Sequence, residues 1–419
     1  MGRAKDAWME EQERGWSDPG TFVCDHCIHD SYLINLVRQN AQQRQCDYCG
    51  RRARLAIAAP AAEVIKAIGV AVHHYYNDPT DAGVPYDGGF IVEPVGIDEV
   101  LSDLGLDCSD AFLQEVSDAF GDSMWVPSAR GHWNGSQLSD RMRYSWASFQ
   151  QLVKHKTRYH FAHRQADDRE ELSPTEFLEA IGHAVEALGL VSTIERGTLL
   201  HRARVRVADS AWMPEAQTMG APPRNLASAG RMNPPGISYL YCAFERETSL
   251  GELAPTPPIV MVAAQFTLRS NVLVLNLCEL PKSPSVYDVA RNEELEWLDF
   301  LRGFTREISR PVRKDGSEHV DYVPSQVVCE WFAQVYGEGD GGATLDGILY
   351  PSAIVPGGKN LVLFPQREVF GKAMFEAVEF RAYEVLELNN WVTLAAALGF
   401  TPAAGMIQSG VTYPLTRRN

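Results

Sequence analysis

Apolar residues recur at helical spacing in the first part of this chain and at a two-residue spacing in the second, which limits the folds open to it. Segment Ala62–Val72 shows the helical pattern, and Phe112–Phe120 and Ser145–Phe161 repeat it. Side chains alternate instead from Leu200 to Val207, where every second residue in one stretch is arginine. The pattern predicts a mainly helical first part followed by a β-sheet.

The second part holds several more short segments with strand or helix character. Strands are predicted at Tyr239–Phe244, Ile259–Leu268, Val272–Leu277, Gly347–Tyr350, Asn360–Phe364 and Val378–Leu388. Helices are predicted at Thr248–Leu253, Glu293–Arg302 and Ser325–Tyr336. Because these strands and helices do not alternate regularly, the fold class is expected to be α+β.

A solvated linker, Ala166–Leu172, separates the two parts and ends at a helix start, Ser173-Pro-Thr-Glu176. Serine can cap the helix, proline suits its first turn, and glutamate three residues on can return the hydrogen bond. We place the main boundary there. The predicted domains are a zinc-binding module at 1–50, a helical domain at 51–165, a sheet domain at 173–390 and a tail at 391–419.

The chain carries 54 acidic and 38 basic residues, a formal net charge of −16, so its overall field repels polyanions. Binding to nucleic acid as the main role needs clustered Lys and Arg and is therefore not expected. We find no signal peptide and no apolar run of the roughly 18–20 residues that span a bilayer. A cytoplasmic protein with reduced thiols and no membrane association is expected.

Two CxxC motifs lie near the N-terminus with eighteen residues between them. Their cysteines are Cys24, Cys27, Cys46 and Cys49. Paired motifs of this kind place four thiolates around one tetrahedral ion, and a closed shell of four ligands leaves no position for water. A structural Zn²⁺ is predicted; His26 or His29 could replace one thiolate.

A positive segment interrupts the acidic chain between residues 196 and 231. Its arginines are Arg196, Arg202, Arg204, Arg206, Arg224 and Arg231, against the acidic residues Asp209 and Glu215. Guanidinium groups bind phosphate oxygens through paired hydrogen bonds, so a phosphate-bearing small molecule would need such a segment. The alternative is a solvated strand face.

Four blocks of sequence in this part resemble, in order, the RES family, which is named after its Arg, Glu and Ser residues. The blocks are Leu200-His-Arg202-Ala-Arg, Gly230-Arg231-Met-Asn-Pro-Pro-Gly through Leu240-Tyr241 to Glu252, Tyr322-Val-Pro-Ser-Gln326, and Asp346-Gly-Ile-Leu-Tyr-Pro-Ser352 with Asn360 onward. The resemblance implies a mixed sheet like that of the ADP-ribosyltransferase toxins. It also implies a bacterial toxin that consumes NAD⁺.

Carried over residue by residue, the resemblance implies a site for NAD⁺ as substrate. Its catalytic residues would be Glu252, Arg231, Tyr241 and Arg202, and NAD⁺ would contact Arg202, Arg231, Asn233, Tyr241, Ser352 and Asn360. Loss of nicotinamide spreads positive charge over the ribose, and a nearby carboxylate stabilises it. Glu252 is the candidate, with Glu245 and Glu247 as close alternatives in sequence.

The other residues would bind or orient the substrate. Arg202 and Arg231 would hold the pyrophosphate or an incoming phosphate, and Tyr241 offers a flat face to nicotinamide, although a strand tyrosine can also be core. Ser352 would orient a ribose hydroxyl or phosphate, or be a turn serine.

Residues from about Arg51 to His163 partly resemble the HEPN-like domains found before some RES domains. Some HEPN domains are RNases with an Arg-x4–6-His motif, and the segment from Arg158 to His163 fits it formally. Residues five apart on a helix point about 140° apart, so a structural or partner-sensing role is favoured.

The sequence thus favours an NAD⁺ glycohydrolase or NAD⁺ phosphorylase, acting as a toxin or defence effector that transfers ADP-ribose to water or phosphate. The alternatives are a protein ADP-ribosyltransferase, and an RNase or RNA-binding module with a regulatory RES domain. An antitoxin or regulatory partner and a homo-oligomer are expected.

Overall fold

The structure is a computed structural model that describes residues 14–166, 168–206, 216–253, 259–310, 316–337, 344–365 and 375–385. The chain divides into two compact units. The first unit comprises residues 1–144, 168–171 and 282–300, and the second comprises 145–167, 172–281 and 301–419. The tail predicted at 391–419 lies outside the described residues.

Helices and strands are each numbered separately in chain order. The helices are α1 (Ser31–Gln39), α2 (Ala61–Tyr75), α3 (Ile97–Asp103), α4 (Asp110–Phe120), α5 (Leu138–His155), α6 (Pro174–Ala187), α7 (Ala216–Met219), α8 (Arg246–Gly251), α9 (Asn292–Ser309), α10 (Glu318–Asp321) and α11 (Val323–Gln334). The strands are β1 (Phe22–Cys24), β2 (Ala58–Pro60), β3 (Tyr76–Asn77), β4 (Val95–Gly96), β5 (Met124–Pro127), β6 (Val191–Ile194), β7 (Leu199–Arg206), β8 (Leu240–Ala243), β9 (Ile259–Leu268), β10 (Val272–Asn276), β11 (Gly347–Pro351), β12 (Lys359–Leu363) and β13 (Phe375–Val385).

The first unit is mainly helical and has one principal core. Helix α2 buries Val64, Ile65 and Ile68 on one face, and α4 buries Phe112 against the same cluster. Three cysteines of the CxxC motifs belong to this cluster too. They lie in the chain around the ribbon that β1 and β2 form. The CxxC segment and the helices therefore share a core.

The second unit is built on an eight-stranded mixed sheet with the strand order β13-β9-β7-β8-β12-β11-β10-β6. Its neighbouring strands are antiparallel except β10 and β11, which are parallel. Helix α6 starts at the predicted capping box, in which the Ser173 hydroxyl accepts from the Glu176 backbone N–H and the Glu176 carboxylate accepts from Ser173 N. The α+β class predicted from the sequence is confirmed.

Strand β7 pairs unequally with its two neighbours in the sheet. Strand β7 pairs with β9 at eight successive positions, but with β8 at only one, His201 opposite Ala243. Strands β7 and β8 therefore separate beyond His201, and the sheet is split between two strands that are adjacent in its order.

Strand β6 and the end of helix α5 are among the differences from the prediction. Strand β6 was not predicted, because Val191-Ser-Thr-Ile194 is short and half polar. The helix predicted to reach Phe161 ends at His155. The chain turns back there, so that the ring of Phe161 contacts the ring of Phe149 edge-on, with centroids 5.9 Å apart. Within the described residues, no helix combines the length and apolar character needed to cross a membrane.

Candidate functional site

A cavity of about 600 Å³ lies in the second unit at the split between β7 and β8. Six predicted site residues line it: Arg202, Arg231, Asn233, Tyr241, Glu252 and Asn360. Ser352 is in direct contact with one of them. The structure thus brings together residues that are up to 158 positions apart in the chain (from 202 to 360).

The carboxylate of Glu252 is held by two donors on one oxygen. The Ser352 hydroxyl donates to Oε1 at 2.6 Å, and Asn360 Nδ2 donates to the same atom at 2.7 Å. The backbone N–H groups of Ile354 and Val355 donate to Ser352 Oγ at 3.2 and 3.0 Å, which directs the serine proton toward Glu252. Oε2 has no hydrogen-bond partner within the described chain and stays available to a ligand.

The two neighbouring glutamates have other roles. Glu245 Oε2 accepts from Thr248 Oγ1 at 2.8 Å and from Lys359 N at 3.1 Å, which joins the start of α8 to β12. Glu247 forms an ion pair with Arg246 at 2.9 Å. Neither glutamate lines the 600 Å³ cavity, so the geometry favours Glu252 as the carboxylate that meets a ligand there.

Tyr241 fixes the loop from Gly230 to Asn233 at the edge of the cavity. Its hydroxyl accepts from Met232 N at 3.0 Å and donates to Asn233 Oδ1 at 2.8 Å. A Cβ at position 230 would lie 2.4 Å from Asn233 Oδ1 and 2.7 Å from the Tyr241 hydroxyl, so only glycine fits there. Burial raises the pKa of Tyr241 well above its ordinary value, which keeps the hydroxyl protonated.

The side chain of Asn233 is used within the protein. Its Nδ2 donates to the carbonyl oxygens of Ser228, Pro234 and Ile237 at 2.9–3.1 Å, and its Oδ1 accepts from Tyr241. The structure therefore gives Asn233 the role of shaping the loop that borders the cavity.

Two residues of α11 complete this loop and were not predicted as site residues. Gln326 Nε2 donates to Gly230 O at 2.7 Å and to Asn233 O at 3.0 Å, and Ser325 Oγ donates to Arg231 O at 2.6 Å. The sequence signal was their place in the Tyr322–Gln326 block. Their partners are backbone carbonyls, which no sequence pattern identifies.

Arg231 ties the same loop to the end of α9. Its Nη1 donates to Ile308 O at 2.9 Å and to Arg310 O at 2.6 Å. Carbonyl groups at a helix C-terminus lack intrahelical partners and carry partial negative charge, so a guanidinium is well placed there. Nη1 of Arg231 is thus already engaged by the protein.

Arg202 is a buried cation with an open hydrogen-bonding position. Its Nη1 is buried and has no partner in the described structure. Burial, together with the nearby Arg204, lowers the pKa of Arg202 to about 10. Arg204 itself donates to the carbonyl oxygen of Thr218, and the side chain of Arg206 lies outside the described residues.

The first unit holds a second candidate site, formed by the four CxxC cysteines. Their sulfur atoms all lie within 4.8 Å of one another. The Sγ atoms of Cys24 and Cys27 are 4.0 Å apart, those of Cys24 and Cys49 3.5 Å, and those of Cys27 and Cys46 3.7 Å. A tetrahedral ion with Zn–S bonds of about 2.3 Å requires sulfur separations of about 3.8 Å. The donor set and its spacing fit Zn²⁺.

The predicted Arg158–His163 pair lies outside any helix. The chain after His155 forms bends and turns, and both side chains are exposed to solvent. Neither residue lines the cavity of the second unit. The pair therefore has no enclosed site around it within the described structure.

Comparison with known proteins identifies two families. The family described as HEPN/RES N-terminal domain 1 matches residues 39–167, and the RES domain family matches residues 200–382. No curated protein matches the chain. Among solved structures, the chain is similar to the M. tuberculosis MbcT–MbcA toxin–antitoxin complex, over 52% of this chain and 98% of that chain, with 16% identity and a TM-score of 0.29.

Proposed function

Since this chain is a HEPN/RES protein, with a HEPN/RES N-terminal domain followed by a RES domain, we propose that its RES domain binds NAD⁺ and cleaves the nicotinamide–ribose bond. The observation that carries the proposal is the Glu252 carboxylate, held on one oxygen by Ser352 and Asn360 and open on the other. It lines a cavity that also contains the buried, partly unpartnered guanidinium of Arg202.

A carboxylate fixed in this way suits the cleavage of the nicotinamide–ribose bond. When the C1′–N bond breaks, its electron pair goes to the nicotinamide nitrogen, and the ribose ring takes up the positive charge. A carboxylate already fixed beside the ring stabilises that charge without reorganising during the reaction. Ser352 and Asn360 would hold Glu252 in place, and water or inorganic phosphate would then add to the ribose carbon.

Binding of the substrate would rest on the arginines of the cavity. A buried guanidinium nitrogen without a partner is costly in the empty protein, and a phosphate oxygen would satisfy it. Arg202 is therefore the first candidate for the pyrophosphate, and the part of the Arg231 guanidinium not used by α9 is the second. Tyr241, whose hydroxyl is engaged in the loop, would contribute its ring.

The cysteine cluster of the first unit would hold a structural zinc ion. Four thiolates close the coordination shell, so the ion would supply folding free energy and no open position for chemistry. Burial raises the pKa of Cys24 to about 11, and zinc binding would displace its proton.

The family resemblance suggests a biological role as a toxin or defence effector that depletes NAD⁺. An antitoxin or other regulatory protein would then be needed to keep the site inactive, and we expect the chain to form a homo-oligomer.

The direct test is incubation of the purified protein with NAD⁺, with and without inorganic phosphate, and identification of the products by mass spectrometry. Free nicotinamide with ADP-ribose indicates a glycohydrolase, and nicotinamide with phosphorylated ADP-ribose indicates a phosphorylase. Label from the adenine half on protein would indicate protein ADP-ribosylation. Intact NAD⁺ under all conditions would overturn the proposal.

A further inference from the structure

A row of directly paired residues crosses four strands on one face of the sheet. His201 of β7 lies opposite Ala243 of β8, Ala243 opposite Asn360 of β12, and Asn360 opposite Tyr350 of β11. Directly paired residues of antiparallel strands project from the same face. All four line the 600 Å³ cavity, and the small Ala243 leaves space between the larger members of the row.

Tyr350 therefore lies on the cavity side of the sheet, next to the asparagine that holds Glu252. It is 7% exposed. Its hydroxyl has no hydrogen-bond partner within the described chain, in contrast to that of Tyr241, which has two. A hydroxyl without a protein partner at the wall of a cavity can donate its proton to a ligand bound there, and such a hydrogen bond contributes free energy to binding.

The electrostatic surroundings keep this hydroxyl neutral. Burial raises the pKa of Tyr350 well above its ordinary value, and the neighbouring Tyr241 and the Glu252 carboxylate act in the same direction. Tyr350 is thus a donor across the physiological pH range, placed close to the carboxylate that would face the ribose.

We propose that Tyr350 is a ligand-contacting residue, whose hydroxyl donates a hydrogen bond to a hydroxyl oxygen of the nicotinamide-side ribose. The assignment rests on the proposed function. The ribose is chosen because Asn360, the cross-strand partner of Tyr350, holds the carboxylate that would act on the same sugar ring.

Tyr350→Phe removes only the hydroxyl and is the variant to test. One neutral hydrogen bond to substrate predicts a fall in kcat/KM for nicotinamide release of about 3- to 10-fold, and a matching rise in Kd for NAD⁺ if the bond already forms on binding. The thermal stability of the empty protein should not fall, since the variant breaks no protein hydrogen bond. This combination separates ligand contact from a structural role.

Two controls sharpen the experiment. Tyr287→Phe, at another buried tyrosine whose hydroxyl contacts Leu104 O in the first unit, should leave kcat/KM unchanged. Tyr241→Phe loses two protein hydrogen bonds and should lower the melting temperature. Analogues of NAD⁺ without the 2′- or 3′-hydroxyl of the nicotinamide ribose complete the design. The penalty of Tyr350→Phe should disappear with the analogue that lacks the contacted oxygen.

Each outcome decides between the proposals. If Tyr350→Phe binds and cleaves NAD⁺ as the wild type does, the role of Tyr350 is wrong while the proposed function stands. A penalty that persists with both analogues overturns the ribose assignment. If the wild type binds NAD⁺ without cleaving it, the proposed reaction is wrong, and the Kd of the variant still tests Tyr350. Absence of NAD⁺ binding by the wild type overturns both.

Discussion

Ser352 donates its hydroxyl proton to Glu252 Oε1 across 2.6 Å, although the two residues are 100 positions apart in the chain. Two backbone N–H groups donate to the same serine oxygen and set the direction of its proton. Ser352, which the sequence resemblance suggested as a site residue, thus holds the carboxylate in this chain. A ribose or phosphate contact, the role expected from the sequence, would have to use an oxygen that already has three partners.

Replacing Glu252 by glutamine tests its charge. Glu252→Gln keeps the size of the side chain but removes the anion that would stabilise positive charge on the ribose. We expect turnover to fall by about two orders of magnitude or more, as when one preorganised electrostatic contact is lost, while NAD⁺ still binds. A nicotinamide-release assay beside calorimetry of NAD⁺ binding measures both.

The neighbouring glutamates provide matched controls. Glu247→Gln removes a partner of Arg246 near the surface and should leave turnover close to that of the wild type. Glu245→Gln weakens the junction with Thr248 and Lys359, and its main effect should be a lower melting temperature. Suppose instead that Glu252→Gln turns over NAD⁺ at a near-normal rate and one of the two control variants does not. The catalytic role would then belong to the glutamate replaced in that control variant.

Removing the predicted zinc ion should unfold more than the CxxC segments that would bind it. Cys24, Cys27 and Cys46 are buried in the same core as α2 and α4, so loss of a structural ion would expose part of that core. We expect one zinc per chain by metal analysis, and Cys46→Ser or chelation should produce a clear loss of helical circular dichroism. Cys108→Ser, at a cysteine outside the cluster, is the control. Zinc well below one per chain in carefully purified protein would count against the site.

The RNase alternative has its own test. Arg158 and His163 are exposed and follow the end of α5, so we expect Arg158→Ala with His163→Ala to leave nicotinamide release and toxicity unchanged. Toxicity should instead follow NAD⁺ loss in every variant of the residues that line the 600 Å³ cavity. RNA cleavage by the purified protein that disappears in His163→Ala would contradict this expectation.

The sequence predicted elements well where burial imposes a pattern. Strand β9 was predicted with the bounds that the structure has, because Ile259–Leu268 is a long apolar run. Strand β6 was missed, since an edge strand such as Val191–Ile194 buries little and needs no strong pattern. The end of α5 was misplaced because Phe161 matches a helical spacing but packs from a turn.

The sequence predicted a set of candidate site residues, which the structure brings together around one cavity, but it did not predict their geometry. Motif residues identified Glu252 and Ser352, but their contact depends on where β11, β12 and α8 meet in three dimensions. Gln326 bonds to backbone carbonyls, and the significance of Tyr350 lies in a hydroxyl with no partner in the described chain. Such roles follow from the pairing of strands and the packing of a helix, which single-sequence patterns do not contain.

Arg202 offers a test in which stability and binding change in opposite directions. Because burial places its folded-state pKa, about 10, below its ordinary value, the protonated side chain weakens the fold at every pH below about 10, and this penalty is lost as the pH rises above it. Arg202→Met removes the charge and keeps the apolar stem. At pH 7 the empty variant should therefore melt at a higher temperature than the wild type, by calorimetry without ligand.

The same substitution, Arg202→Met, should weaken the binding of NAD⁺. If Arg202 Nη1 meets a phosphate oxygen, its loss removes a charge-assisted hydrogen bond worth about 1.5–3 kcal/mol, a rise in Kd of roughly 10- to 150-fold for NAD⁺ and for ADP-ribose alike. Nicotinamide has no phosphate, and its binding should not change. Arg204→Met is the control: its guanidinium already donates to Thr218 O, so the empty protein should lose stability. The opposite result would be an Arg202→Met variant that melts at a lower temperature than the wild type and binds ADP-ribose equally well. Arg202 would then stabilise the fold and would not bind the phosphates.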